Sequence, residues 1–217
     1  VAREAASLVL LDDRFSSIVQ AIRSGRQIFQ NMQKSMSYIL GVHVTVAGMA
    51  LVPVILGWPV LLYPMHIVFL ELMIDPACAL AFENEPGEPK LMTTPPRDPR
   101  APLFGGWTVA WAALIGFASL LAVLAAYSWA LGRMPEDQAR AFGFAALVAA
   151  NIAQIGANRS HTRSVLQGLQ APNRMVWIVS GAALVMLLAA VYQPVLARLF
   201  RFMPLAATDL GIALAVG

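Results

Sequence analysis

Five apolar stretches of this chain are long enough to cross a lipid bilayer, and they restrict its fold more than any other feature. A helix needs about 20 predominantly apolar residues to span the hydrocarbon layer. Of the 217 residues, 59% are hydrophobic and 12% are charged, whereas a soluble domain has about 25% charged residues. The sequence therefore predicts an all-α, polytopic transmembrane helical bundle. Its spans are expected at residues 38–56, 61–82, 107–131, 141–157 and 175–192, with a partial sixth span at 208–217.

The chain before the first span is polar or amphipathic. Within residues 1–13 a short apolar run is followed by Asp12 and Asp13, a pattern that suits the end of a soluble domain. Residues 14–36 place apolar side chains at helical spacing among basic and amide side chains, which predicts an amphipathic helix. We therefore expect a cytosolic piece at 1–13, a stalk helix at 14–36 and a transmembrane domain at 37–217.

Basic residues are distributed unevenly between the two sides of the predicted bundle. If the N-terminus is cytoplasmic, eleven of the 15 Lys and Arg residues lie on the cytoplasmic side and four on the outer side. Cytoplasmic loops of membrane proteins carry this excess. We therefore expect a multi-pass protein of the cell (plasma) membrane with a cytoplasmic N-terminus. Its surroundings are the lipid bilayer, and the sequence carries no signal for nucleic-acid binding.

Two carboxylates, Glu71 and Asp75, lie inside the second apolar stretch. A charge in the membrane is costly, so such residues are usually functional. Their spacing of four places both on one face of a helix. Pro76 follows at once and interrupts the backbone hydrogen bonding, so we interpret it as a hinge. Two carboxylates beside freed carbonyl oxygens predict a metal-cation site with Asp75 and Glu71 as ligands, although a pair of protonated acids bonded to neighbouring helices is the alternative.

Three further polar side chains are candidates for the same site. His43 lies in the first span, where it could bond an acid, carry a proton, ligate a metal or be a satisfied core histidine. Asn151 and Gln154 lie three residues apart on the fourth span and therefore share a face. Amides in membrane helices also hold helices together, and we keep that role open beside a cation-binding one.

Several segments, taken in order along the chain, resemble parts of one family. They are REAASLVLLDDRFSSIV at 3–19, GRQIFQNMQK at 25–34, YIL at 38–40, LELMIDP at 70–76, KLMTTPPR at 90–97 and PLF at 102–104. They resemble the end of the phosphorylation domain, the stalk, the start of the fifth transmembrane helix, the sixth helix and the loop before the seventh helix of P-type cation ATPases. The resemblance is greatest to the bacterial calcium-ATPase-like branch.

This resemblance implies the C-terminal membrane half of such a pump, with helices five to nine and the start of helix ten. It implies that Asp75 is the sixth-helix aspartate that binds the ion. Other positions depart from the calcium-pump pattern, so the resemblance implies one site built around Glu71 and Asp75 rather than two. The departures are Glu71 and His43 at asparagine positions, Ile74 at a threonine position, and Val46 and Asn151 at glutamate positions.

The resemblance also bears on cargo and partners. The transported cation would be Ca²⁺ or another divalent ion such as Mn²⁺ or Mg²⁺, or a proton. The Asp-Lys-Thr-Gly phosphorylation motif of the family does not occur in this sequence, so we expect no catalytic residues here. ATP and Mg²⁺ would act only in the full-length parent ATPase, whose remaining domains are the expected partners. The alternatives are a stand-alone ion channel or carrier, or a non-catalytic membrane fragment with a structural or regulatory role.

Overall fold

The computed structural model describes residue 9 and residues 14–88, 90–96, 105–159 and 173–217, and every regular element in them is helical. The predicted all-α fold is confirmed. The expected end of a soluble domain at 1–13 lies, apart from Val9, outside the described residues. The helices are α1 (Phe15–Ile55), α2 (Pro64–Pro76), a π-helical segment (Ala77–Phe82), α3 (Gly106–Leu131), α4 (Glu136–Asn158), α5 (Arg174–Tyr192), α6 (Pro194–Leu199) and α7 (Ala207–Val216).

Five of the described helices are long and apolar enough to cross a membrane. They are α1, α2 together with the π-helical segment, α3, α4 and α5, which correspond in order to the predicted spans. α7 is apolar but has only 10 residues, and it lies where the partial sixth span was expected. The fourth helix begins at Glu136, earlier than predicted, because Pro135 at its N-cap starts a first turn that is acidic rather than apolar.

The predicted stalk and the first span form one continuous helix of 41 residues, α1. Its only proline, Pro53, lies in the last turn, so the hydrogen-bond ladder is uninterrupted before that point. The chain then turns at Gly57, whose φ of 69° is a left-handed conformation that suits glycine. We call this the turn end of the bundle, and the opposite end, where α1 begins, the stalk end.

The bundle is organised around α4, most of whose residues are buried. α1 packs along α3, α3 along α4, and α4 contacts α1, α5 and α7 as well. Much of the surface of α3 and α5 is instead exposed and apolar, as on helices that face lipid. α4 is thus the central helix of the described bundle.

A close approach between α1 and α3 depends on two glycines. A Cβ atom on Gly116 would lie 2.5 Å from the Gly41 carbonyl oxygen and 2.9 Å from the Val44 Cβ. A Cβ on Gly41 would lie 2.6 Å from the Gln154 side-chain oxygen. Small residues at helix contacts of this kind let backbones meet directly in membrane bundles. The hydrogen bond from Thr45 to the Gly116 carbonyl oxygen, described below, needs this short separation.

The turn end is held together by one buried cation. Arg140 on α4 is 1% exposed, and its guanidinium donates to the carbonyl oxygens of Val60 and Arg201, each at 3.0 Å. It also pairs with the exposed carboxylates of Glu136 and Asp137 on its own helix. The side chain therefore joins the α1–α2 turn to the segment after α6, with its charge balanced locally.

We predict that Gly116→Ala destabilises the bundle by about 1 to 3 kcal/mol, because the new methyl group would overlap the backbone carbonyl oxygen of Gly41. Thermal unfolding of the purified protein in detergent measures the change. Gly181→Ala is the matched control, since a Cβ at this exposed helical glycine meets nothing within 4 Å. Equal effects of the two substitutions would contradict the proposed close contact.

Candidate cation site

The helix that carries the acid pair has a well-defined start. Pro64 occupies the first turn of α2, where its missing N–H costs no hydrogen bond. His66 Nδ1 accepts a hydrogen bond of 2.9 Å from the backbone N–H of Tyr63, the N-cap residue. The imidazole is fully buried among the rings of Phe144, Phe200 and Phe202. This packing fixes α2 at the turn end.

Pro76 marks a change of helix type rather than a complete break. α2 ends at Pro76, and the next six residues, Ala77–Phe82, form the π-helical segment. Since proline has no N–H, the carbonyl of Leu72 lacks its usual helical donor. Single π turns inside helices are rare and are often found at functional sites. The change of helix type follows Asp75 almost directly, and Asp75 itself lies one turn after Glu71.

Glu71 and Asp75 are both exposed on α2. Neither carboxylate has a hydrogen bond or ion pair with a described residue. Their neighbours Val68 and Leu72 are 51% and 61% exposed. The face of α2 that carries the acids is therefore uncovered by the described part of the chain.

His43 lies on an exposed part of α1. Its Nδ1 is 2.8 Å from the carbonyl oxygen of Ile39, one turn earlier. Because a carbonyl oxygen can only accept, Nδ1 must carry the proton in this contact. In the neutral imidazole, Nε2 is then the nitrogen with a free lone pair.

Gln154 belongs to a buried polar cluster between α1, α3 and α4. Its amide nitrogen donates to Thr45 Oγ1 at 3.1 Å. The Thr45 hydroxyl in turn lies 3.1 Å from the Gly41 carbonyl oxygen and 3.0 Å from the Gly116 carbonyl oxygen. Threonine in a membrane helix commonly bonds the previous turn of its own helix, whereas the bond from Thr45 to α3 depends on the glycine contact described above. Gln154 thus contributes to helix association, one of its two expected roles.

Asn151 is fully buried, and neither its amide nitrogen nor its amide oxygen has a partner among the described residues. The side-chain oxygen of Gln154 is likewise buried without a described partner. Buried amides are nearly always satisfied by protein, water or an ion. These atoms therefore offer two oxygens and one NH2 group, with its two N–H donors, to a small polar ligand inside the bundle.

The predicted site residues fall into two groups. Glu71, Asp75 and Pro76 lie together on α2. Asn151 and Gln154 lie together on α4, where Gln154 bonds Thr45 of α1. No hydrogen bond joins the two groups or connects His43 to either. In the part of the chain that the structure describes, no three His, Cys, Asp or Glu side chains cluster closely enough to hold a metal ion.

A polar network at the stalk end was not predicted. Arg26 on α1 donates to the carbonyl oxygens of Leu91 and Thr94 at 2.9 and 2.7 Å, and Lys34 pairs with Glu88 at 3.2 Å. The segment after the π-helical segment is therefore bound along α1. In the sequence it is a proline- and charge-rich loop, a pattern that does not distinguish buried charges from solvated ones.

Known proteins resemble this chain over nearly its whole length. Residues 59–217 match the family described as "Cation transporting ATPase, C-terminus". A "Calcium-transporting ATPase" of Bacillus subtilis is 34% identical over 93% of the chain. "Calcium-transporting ATPase 1" of Bacillus cereus and the "Probable cation-transporting ATPase F" of Mycobacterium tuberculosis are each 29% identical, over 99% and 98% of the chain.

The chain spans about a quarter of the length of these relatives, which is 23% to 26% of each. The family match and the membrane-spanning helices agree with the resemblance that the motifs indicated. The chain is part of a multi-pass membrane protein and belongs to the P-type cation-transporting ATPases, of which it is a C-terminal membrane part.

Proposed function

We propose that this chain is the ion-binding part of an ATP-driven pump that transports a divalent, calcium-like cation. The observation that carries the proposal is the acid pair Glu71 and Asp75 on one face of α2, directly before Pro76 and the π-helical segment. The relatives named as calcium-transporting ATPases support the ion class. ATP binding and phosphorylation belong to other parts of the pump.

The chemistry of the pair suits a divalent ion. Two carboxylates in apolar surroundings repel each other unless a cation or a shared proton compensates them. Oxygen ligands of this kind are those that Ca²⁺ and Mg²⁺ prefer, and Ca²⁺ accepts irregular shells that include backbone carbonyls. Because the described residues leave this face of α2 uncovered, further ligands are expected from the remaining parts of the pump.

The α4 amides have a secondary role in this proposal. The unpartnered oxygens of Asn151 and Gln154 provide neutral ligands or hold water on the inner side of α1. His43 is exposed, with Nε2 available, and we assign it proton exchange with the ion pathway. Neither contribution requires direct contact with the acids, since one water molecule bridges polar groups that are too far apart to bond directly.

The stalk end is assigned to the cytoplasm in this proposal, and the membrane to the plasma membrane. The excess of basic residues on that side supports the orientation. The stalk part of α1 would then connect the membrane helices to the phosphorylation domain, so that a change in the ion site reaches the site of ATP hydrolysis through one continuous helix.

Asp75→Asn in the full-length pump is expected to abolish cation-stimulated ATP hydrolysis, because it removes a negative charge that a divalent ion needs. ATPase activity is measured against a panel of cations that includes Ca²⁺, Mn²⁺ and Mg²⁺. Asp209→Asn at the start of α7 is the matched control and should retain wild-type stimulation. Wild-type activity of the Asp75 variant would reject the site.

Glu71→Gln separates a divalent cargo from a proton. With a divalent ion, the apparent affinity should fall about 10- to 100-fold while the maximal rate is largely kept, since one charged ligand is replaced by a neutral one. With proton transport, turnover itself should be lost at every cation concentration. Titration of the ATPase rate with each cation decides between the two, and an unchanged titration would exclude Glu71 as a ligand.

A further inference from the structure

Glu85, Arg159 and Asn173 form a buried contact at the stalk end that we call the Glu85 junction. Glu85 Oε2 accepts hydrogen bonds from Arg159 Nε at 3.0 Å and from Asn173 Nδ2 at 2.7 Å. Arg159 is the C-cap residue of α4, and Asn173 is the N-cap residue of α5. The junction therefore joins the segment after the π-helical segment to the ends of two other helices.

The three side chains of the junction are almost completely removed from solvent. Glu85 is 3% exposed, Arg159 is 1% exposed and Asn173 is 4% exposed. A buried ion pair contributes little net stability, because desolvation offsets the attraction between the charges. Such a pair instead favours one relative arrangement of the groups that it connects. The junction is thus better suited to setting a geometry than to stabilising the bundle.

Asn173 extends this contact into the π-helical segment itself. The same Nδ2 that bonds Glu85 also donates to the carbonyl oxygen of Ala81 at 2.7 Å. Its Oδ1 accepts from the backbone N–H of Met175, which caps the start of α5. One side chain therefore fastens both the π-helical segment and Glu85 to α5.

On the opposite side, the same short segment is bound to α1 through its backbone. The Glu85 carbonyl oxygen accepts from Gln27 at 3.0 Å and from Asn31 at 2.8 Å, and the Glu83 carbonyl oxygen accepts from Asn31 at 3.2 Å. The carboxylate of Glu85 thus binds α4 and α5, whereas its carbonyl binds α1. A side-chain substitution can remove the first connection and leave the second intact.

The junction lies ten residues after Asp75, at the other end of the π-helical segment. A π turn has one more residue per hydrogen-bonded ring than an α turn. A conversion of the segment between π-helix and α-helix would therefore rotate and shift α2 relative to the residues that follow the segment. The contacts at Ala81 and Glu85 fix one end of the segment, and the packing of His66 fixes the start of α2. Asp75 lies between these two fixed points.

We propose that Glu85 is a positioning residue for the cation site. Its carboxylate, held by Arg159 and Asn173, fixes the end of the π-helical segment and thereby the orientation of Asp75 and Glu71. This inference rests on the proposed function. Glu85, ten residues after Asp75 in the chain, would then affect how tightly the ion binds.

The test is Glu85→Gln in the full-length pump, with cation-stimulated ATPase activity titrated against the cation that stimulates the wild type. The expected result is an apparent cation affinity weakened about threefold or more, with kcat within about twofold of wild type. Glu83→Gln is the matched control, because the Glu83 side chain is exposed while its carbonyl stays bonded to Asn31. An equal effect of both substitutions, or a loss of kcat at unchanged affinity, would overturn the proposal.

Cys78 provides a second readout that does not depend on turnover. It is half-buried within the π-helical segment, between Asp75 and the junction. The rate at which a maleimide labels Cys78, followed by mass spectrometry of its peptide, should rise in Glu85→Gln and stay at the wild-type value in Glu83→Gln. An unchanged rate in the Glu85 variant would show that the junction does not hold the segment.

Asn173→Ser tests the same contact should Glu85→Gln fail to fold. Serine keeps an N-cap oxygen for α5 but removes the donor to Ala81 and Glu85, so cation affinity should weaken as in the Glu85 variant. Wild-type affinity in Asn173→Ser would reject the inference. The proposed function fails separately, if no cation stimulates the wild type or if Asp75→Asn remains active.

Discussion

A polar group inside this bundle has to find its partner within the protein, because hydrocarbon offers no hydrogen bonds. The structure meets this constraint by concentrating polar contacts at the two ends and in one cluster between α1, α3 and α4. Thr45 and Gln154 are joined there, and Arg140 is paired with carboxylates and carbonyls at the turn end. Against this background, the polar groups without a described partner are the ones that call for a ligand.

Two sets of such groups belong to the predicted site, and they lie on different helices. The carboxylates of Glu71 and Asp75 are on an uncovered face of α2, and the amide of Asn151 is fully buried on α4. The two carboxylates have the negative charge that a divalent cation requires, while the Asn151 amide offers only neutral atoms. This difference supports a principal ion site on α2, with α4 contributing hydration or secondary ligands.

The long helix α1 and the Glu85 junction hold the same segment from two sides. α1 binds the backbone of the segment that follows the π-helical segment, and α4 and α5 bind the Glu85 side chain of that same segment. A movement of α1 would therefore act on a segment whose other attachment is to the central part of the bundle. The π-helical segment lies between this attachment and Asp75, so it would transmit such a movement to the proposed ion site.

The all-α membrane fold and the family could be predicted from the sequence alone, because spans of apolar residues and the motifs around Glu71, Asp75 and Pro76 are local patterns. The sequence also predicted that Pro76 would disturb the backbone. Three features became visible only in the folded protein. The disturbance is a π-helical segment, Gly41 and Gly116 bring two backbones together, and Glu85 is buried between Arg159 and Asn173. The glycine contact and the burial of Glu85 depend on partners that are 74 to 88 residues apart in the chain, and no local pattern encodes which distant side chain will meet a loop carboxylate.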